Sequence, residues 1–135
     1  MPSRSKGPAP PPAYPPSLAV YAVCQAKRAV ALRMLIDSGA TYTMIPRKAA
    51  LAIGLDPPMA LRRIPVITAS AVEYVPLLRI PKFRCLGLQL RDLEIACHDL
   101  PPESAVEGLL GLNVLREFKA FQQFEHALRS FLIST

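Results

Sequence analysis

Residues 32–41 read LRMLIDSGAT, an apolar run that ends abruptly in an acid, a hydroxyl and a glycine. The acid, Asp37, needs an explanation, because an ionised carboxylate at the end of a buried strand is costly unless hydrogen-bond donors satisfy it. Gly39 allows a sharp turn that brings its own amide close to the carboxylate, and the Ser38 hydroxyl can bond across to a neighbouring loop. The stretch therefore predicts a strand followed by a tight turn that carries a carboxylate used in chemistry.

A second informative stretch lies far downstream, where residues 108–115 read GLLGLNVL. Together with the Asp-Ser-Gly-Ala of residues 37–40, and in this order and spacing, it resembles the aspartic proteases. Those proteins thread an apolar-apolar-Gly segment beside an Asp-Thr/Ser-Gly-Ala catalytic loop. The alternative is an aspartate that only supports a turn, since Asp-Ser-Gly triplets also occur in ordinary turns. The apolar strand before Asp37 and the Leu-Leu-Gly at 109–111 favour the catalytic interpretation.

Length and composition set bounds on the fold. The chain has 135 residues, enough for one domain with one core and too few for two homologous lobes. Hydrophobic residues make up 51% of it and charged residues 19%, which favours a folded domain over disorder. Residues 1–17 are rich in proline and predict a flexible tail. The predicted domain is therefore 18–135.

Charge and hydropathy also bear on location and partners. No apolar run approaches the roughly 20 residues of a membrane helix, and prolines follow the first basic residues where a secretory signal needs an apolar core. We therefore expect an intracellular, cytoplasmic protein with no membrane partner. The net charge is +6, but Arg and Lys are scattered and lack interleaved aromatic residues. This pattern predicts no nucleic-acid partner.

The cysteines and histidines do not suit a disulfide framework or a metal centre. Cys24, Cys85 and Cys97 are an odd count without a close pair, which is typical of small core residues. The run 97–99, Cys-His-Asp, cannot form a nucleophile and base pair on a strand, because neighbouring side chains point to opposite faces. His126 fits a hairpin turn, and two histidines cannot form a metal triad without carboxylates. We expect no metal and no cofactor.

Short apolar segments separated by turns predict a mainly β domain. The predicted strands are 18–24, 28–36, 41–45, 64–69, 73–80, 87–98, 121–124 and 128–133. A short helix is predicted at 46–53, with a proline at its start and Gly54 at its end. A second is predicted at 114–118, with Asn113 as its N-terminal cap.

Asp-Ser-Gly occurs once in the sequence, and this single copy decides the expected architecture. Hydrolysis of this type needs two carboxylates around one water, one acting as base and the other as acid. The span from 18 to about 133 therefore resembles the retropepsins, the single-lobe aspartic proteases of retroviruses and of related bacterial and cellular proteins. The helix at 46–53 favours the bacterial or cellular branch. The resemblance implies a closed acid-protease-type β-barrel, one lobe with a flap hairpin and one or two short helices, assembled as a two-fold homodimer.

The resemblance also implies roles for the residues of the Asp-Ser-Gly loop. Asp37 would be the catalytic acid and base. Ser38 would bond the loop of the opposite protomer, and Gly39 would direct its amide at the carboxylate. Ala40 would line the substrate channel, and Thr41 would tighten the loop and contact substrate.

Residues 64–78 predict a hairpin similar to the flap that closes over bound peptide in that family. Its turn would lie near Ser70 and Ala71, and its tip residues Ala69, Ser70 and Ala71 would contact the substrate. The tip lacks the glycine that many relatives have there. Residues 109–111 would pack against the catalytic loop, where a glycine is needed because the chains pass too closely for a side chain.

These observations leave three functions. The favoured one is a homodimeric aspartic endopeptidase that cleaves extended, mostly apolar peptide segments held by strand addition. The second is a non-catalytic peptide-binding or dimerisation module on the same fold, supported by the missing glycine at the hairpin tip. The third is a basic β-domain that binds nucleic acid, suggested by the net charge alone.

Overall fold

A computed structural model describes residues 18–60, 62–67 and 69–134 of the chain. The strands of this part are β1 (Ala19–Gln25), β2 (Ala29–Ile36), β3 (Thr43–Ile45), β4 (Arg62–Ile67), β5 (Val72–Cys85), β6 (Leu88–Cys97) and β7 (Gly108–Leu110). The helices are α1 (Arg47–Ala52), α2 (Leu112–Leu115) and α3 (Lys119–Ser134), with a 3₁₀ turn at Pro57–Met59. The tail predicted at 1–17 lies outside the described residues.

Six of the strands close into a barrel. Hydrogen bonding orders them β1-β2-β7-β3-β6-β5, and an antiparallel pairing of β1 with β5 joins the two ends of this row. β5 pairs with β4 over 72–77 and with β6 over 77–85. The β4–β5 hairpin therefore begins where the pairing of β5 with β6 ends. The prediction of a mainly β chain with a closed barrel is confirmed.

Strand β2 is buried on both faces just before it reaches Asp37. Leu32 and Met34 point into the larger core cluster of the barrel. Leu35 points to the other face and joins a smaller cluster with Met44 and Leu109. Side chains alternate between the two faces of a strand, so two clusters hold β2 and fix the direction in which the chain leaves it. The predicted buried strand is confirmed.

The three cysteines are free and buried, as predicted. Cys24 is completely shielded from solvent, and this burial raises the pKa of its thiol to about 12. Burial and the neighbouring Asp99 carboxylate raise the pKa of the Cys97 thiol to about 11, although Arg47 opposes the shift. These thiols stay protonated at neutral pH and act as small apolar core residues.

The helices agree with the sequence in part. α1 confirms the helix predicted at 46–53, and Gly54 follows it with a φ of +95°. The strands predicted at 121–124 and 128–133 are wrong, because both segments belong to α3. His126 therefore lies within a helix and not in a hairpin turn. No helix in the described residues is long and apolar enough to cross a membrane.

The physical reason for the C-terminal error is the spacing of the apolar residues. Residues 121, 124, 128 and 131 recur every three to four positions, which is the period of a helix and not of a strand. The residues between them, Glu125, His126 and Ala127, include neither glycine nor proline to break a helix. Glutamine, glutamate, alanine, leucine and arginine are also good helix formers.

Candidate active site

Asp37 lies at the point where β2 ends and the chain turns. Its amide donates to the Leu110 carbonyl of β7 at 3.0 Å, and its own carbonyl accepts from the Ala40 amide at 3.2 Å. The Gly39 amide donates to Asp37 Oδ1 at 2.9 Å. Asp37 is half-buried, while Ser38 and Gly39 are exposed. The loop thus presents a carboxylate at the barrel surface and orients it through its own backbone.

The position of Gly39 leaves little room for a side chain. A Cβ atom there would lie 3.2 Å from Asp37 Oδ1, closer than ordinary van der Waals contact. Any larger residue would therefore push the carboxylate away from the Gly39 amide. The amide contact predicted from the Asp-Ser-Gly sequence is present.

Strand β7 and the start of α2 pass directly beside this loop. The Leu112 amide donates to the Ala40 carbonyl at 2.8 Å, and the Asn113 amide donates to the Thr41 carbonyl at 3.3 Å. A Cβ atom on Gly111 would lie 2.5 Å from the Tyr42 carbonyl carbon and 2.8 Å from the Ala40 oxygen. These are backbone atoms that cannot move aside. The close approach predicted at 109–111, with glycine as a requirement, is confirmed.

A buried polar network centred on Thr43 fixes the second side of the loop. Thr43 is a fully buried polar residue. Its hydroxyl donates to Asn113 Oδ1 at 2.8 Å and accepts from the Gly111 amide at 3.1 Å. Asn113 Oδ1 also accepts from the Thr43 amide at 2.8 Å, and Asn113 Nδ2 donates to the Glu94 carbonyl at 2.6 Å. Buried polar groups that are satisfied in this way hold one geometry.

This network corrects the role predicted for Asn113. Gly111, not Asn113, is the residue that precedes the first turn of α2, and no side-chain cap is made there. The asparagine instead joins β3, β6 and α2 through both ends of its amide. Sequence analysis also missed Thr43. The available signal was a threonine directly before the apolar Met44 and Ile45, within a predicted strand.

The hairpin predicted at 64–78 is present as β4 and β5. Ile67 pairs with Val72 and Arg62 pairs with Leu77, so the chain turns within 68–71. Ala69, Ser70 and Ala71 are exposed residues of this turn. The described hydrogen bonds of the Asp37 loop go to β7 and α2.

The base of the hairpin, in contrast, is linked to the loop side of the barrel. Arg62 Nη2 donates to Tyr42 Oη at 3.0 Å. Arg62 also lies 3.5 Å from a Glu94 carboxylate oxygen, which is 3.8 Å from Arg79. Because these side chains are well exposed, the ion pairs add little stability. They serve to position the hairpin base beside Tyr42.

Two of the surface cavities on the described part of the chain have similar volumes. One cavity of about 320 Å³ is lined by residues that include Lys48, Asp99 and Glu107. Another of about 310 Å³ is lined by residues that include Tyr42 and Asn113. Asp37 lines neither of these two cavities, and it is half-buried beside the exposed Ser38 and Gly39. The described residues also contain no group of three or more side chains that could hold a metal ion.

Comparisons with known proteins agree with this geometry. Residues 25–114, more than half of the chain, match the protein family described as "Aspartyl protease". The fold is similar to the crystal structure of a retropepsin-like aspartic protease from Rickettsia conorii, with a TM-score of 0.52 and 16% identity over 75% of this chain and 69% of that chain. No curated protein sequence matches the chain. Asp37, Gly39 and Gly111 all lie within the matched span, and the chain belongs to the aspartyl protease family with a retropepsin-like fold.

Proposed function

We propose that this protein is an aspartic endopeptidase whose active form is a homodimer, with Asp37 of both copies in one site. The observation that carries the proposal is the placement of Asp37. Its carboxylate is oriented by the Gly39 amide at 2.9 Å and stands at the open end of β2. A single chain supplies one such group, whereas peptide hydrolysis of this type needs two.

The two carboxyls would share the work of acid and base. One Asp37 carboxylate takes a proton from a water molecule, which attacks the peptide carbonyl carbon. The protonated Asp37 of the other copy supports the carbonyl oxygen, and a carboxyl then protonates the leaving nitrogen as the C–N bond breaks. Two carboxylates so close cannot both be ionised, so the pair holds one proton in its resting state.

The surface around Asp37 suits a partner copy. Ile36 precedes Asp37 and is 38% exposed, although it is a large apolar residue. Leu18 is exposed too, and it precedes Ala19, which pairs with Leu35 next to Ile36. Burial of this apolar surface at a two-fold axis would bring the two Ser38 hydroxyls near the opposite loops.

The substrate would be an extended polypeptide held between the loops and the hairpin. Ala40 and Thr41 follow the carboxylate and would line the floor of the channel. The hairpin would act as a flap, with Ala69, Ser70 and Ala71 at its tip. Ile67 and Tyr74, which flank the turn, are apolar and largely exposed, so they would favour apolar side chains in the substrate and exclude water.

A cleavage assay on Asp37→Asn tests the proposal. Purified full-length chain is incubated with a library of extended, mostly apolar peptides, and the products are identified by mass spectrometry. We expect Asp37→Asn to lower cleavage by at least about 100-fold, since the amide keeps the shape but cannot exchange a proton. Asp56→Asn removes another carboxylate, which is exposed, and serves as the matched control with unchanged cleavage.

Two outcomes would contradict the proposal. Unchanged hydrolysis by Asp37→Asn would show that this carboxylate is not the catalyst. A wild-type chain that binds peptides of the library but cleaves none of them would favour the non-catalytic binding module on the same fold.

A further inference from the structure

The C-terminal helix α3 carries a continuous apolar stripe. Phe121, Phe124, Leu128 and Phe131 follow one another at intervals of three, four and three residues, which is the a and d spacing of helices that pack in pairs. Phe124 and Phe131 are 62% and 63% exposed, and Leu128 is 46% exposed. Single exposed apolar residues are common, but an ordered stripe of aromatic and aliphatic side chains marks an interaction surface.

The start of α3 packs against the core of its own chain, and the later residues of the helix lie away from that core. Phe118 and Phe121 pack against the larger core cluster, while the apolar residues further along, such as Phe124 and Ile133, are well exposed. The chain just before α3 is bonded to the catalytic loop, where Leu112 donates to Ala40. Leu112 precedes α3 by seven positions, so α2 connects the loop that carries Asp37 to this helix.

We propose that the stripe Phe124, Leu128 and Phe131 is an interface for a second copy of the chain, in which the two α3 helices pack against each other. The inference rests on the proposed function, because one Asp37 per chain already calls for a second copy. It adds the surface that holds the two copies together, which lies outside the residues 25–114 matched by the family.

The size of the stripe points to a second copy and not to a foreign helix. A helix of 16 residues is roughly 24 Å long and about 10 Å wide with its side chains. That strip is smaller than the about 800 Å² per partner that stable complexes bury. A second copy of this chain, which the proposed function already requires at the Asp37 loops, would also cover the exposed Leu18 and Ile36, whereas a foreign helix would cover the stripe alone.

The charges of the helix also favour self-association over a membrane surface. The polar side carries Lys119, Glu125 and Arg129, so both signs are present. Helices that lie on anionic membranes are rich in lysine and arginine on this side. Glu125 and Arg129 are four residues apart, a spacing at which opposite charges pair within one helix.

Sedimentation velocity on the full-length chain tests this inference with Leu128→Glu, which places a charge in the middle of the stripe while glutamate keeps the helix. Ser130→Glu adds the same charge to the same helix outside the stripe and is the matched control. We expect wild type and Ser130→Glu to form dimers of equal affinity. Leu128→Glu should raise the dimer dissociation constant at least about 10-fold, because the interface would have to bury an unpaired charge. Circular dichroism shows whether both variants keep their fold, and Phe124→Glu is a second variant with the same expectation should Leu128→Glu unfold.

The outcomes separate this inference from the proposed function. A wild-type dimer that Leu128→Glu leaves unchanged would overturn the role of α3, while the Asp37→Asn assay would still decide whether the protein is a protease. A wild-type chain that stays monomeric would overturn the inference. So would a monomer that binds vesicles of phosphatidylserine and phosphatidylcholine through α3 and loses this binding in Leu128→Glu.

Discussion

At the scale of single residues, the loop that carries Asp37 is held from two sides. Gly39 orients the carboxylate through its amide, and Thr43 anchors the far end of the loop to Gly111 and Asn113. The Thr43 hydroxyl donates to the Asn113 side chain and accepts from the Gly111 amide, and Thr43 itself is fully buried. An uncharged side chain therefore fixes the loop that carries the Asp37 carboxylate.

Thr43→Val tests this anchor, because valine keeps the shape of threonine and removes its hydroxyl. The buried Gly111 amide then loses its acceptor, and the half-buried Asn113 oxygen keeps only the Thr43 amide as a donor. We expect the free energy of unfolding, measured by urea denaturation, to fall by about 1–3 kcal/mol. Thr41→Val, at an exposed position, should change it by less than about 0.5 kcal/mol. Equal stability of the two variants would show that the network does not support the loop.

At the scale of elements, β7 joins the Asp37 loop to the barrel. It pairs in parallel with β2 and in antiparallel fashion with β3, the strands on either side of the Asp37 loop. Gly111 follows it at the point of closest approach to Tyr42. This strand of three residues thus holds both ends of the loop and fixes where α2 begins.

Gly111→Ala should disrupt this crossing. The new Cβ would lie 2.5 Å from the carbonyl carbon of Tyr42, so the two backbones would have to move apart. We expect a loss of about 3 kcal/mol or more in unfolding free energy, together with a loss of peptide cleavage. The control is Gly87→Ala, where no atom lies within 4 Å of the new Cβ and only the positive φ opposes it, at a cost of about 1–2 kcal/mol. A Gly111→Ala variant as stable as Gly87→Ala would refute the close approach.

Much of this architecture could be predicted from the sequence, because its signals are local. The apolar run before Asp37 indicates a strand. The Leu-Leu-Gly at 109–111 indicates the close passage of that segment beside the Asp37 loop. The segments 121–124 and 128–133 predict two strands because each is short. Only the spacing of the apolar residues across both segments shows the helical period of α3. The roles of Thr43 and Asn113 depend on partners about 70 positions away, which local patterns do not contain.

At the scale of the whole molecule, the closed barrel separates the folding of one chain from the assembly of two. The pairing of β1 with β5 completes the barrel within one chain, so the fold itself needs no partner. The proposed chemistry does, because the chain contains one Asp-Ser-Gly loop and hydrolysis of this type needs two carboxyls. Under the proposed function, a folded monomer is therefore inactive and association creates the site.

The most direct test of this central claim is the activity of mixed dimers. Wild type and Asp37→Asn are combined in equal amounts, allowed to exchange subunits at a total concentration well above the dimer dissociation constant, and assayed for peptide cleavage. Random pairing leaves about a quarter of the dimers with two Asp37 residues. A site shared by two copies therefore predicts about a quarter of the activity that wild type shows at the same total concentration. A mixture of wild type with Asp56→Asn should keep full activity. Half of the wild-type activity in the Asp37→Asn mixture would mean that each chain works alone, and it would contradict the shared site.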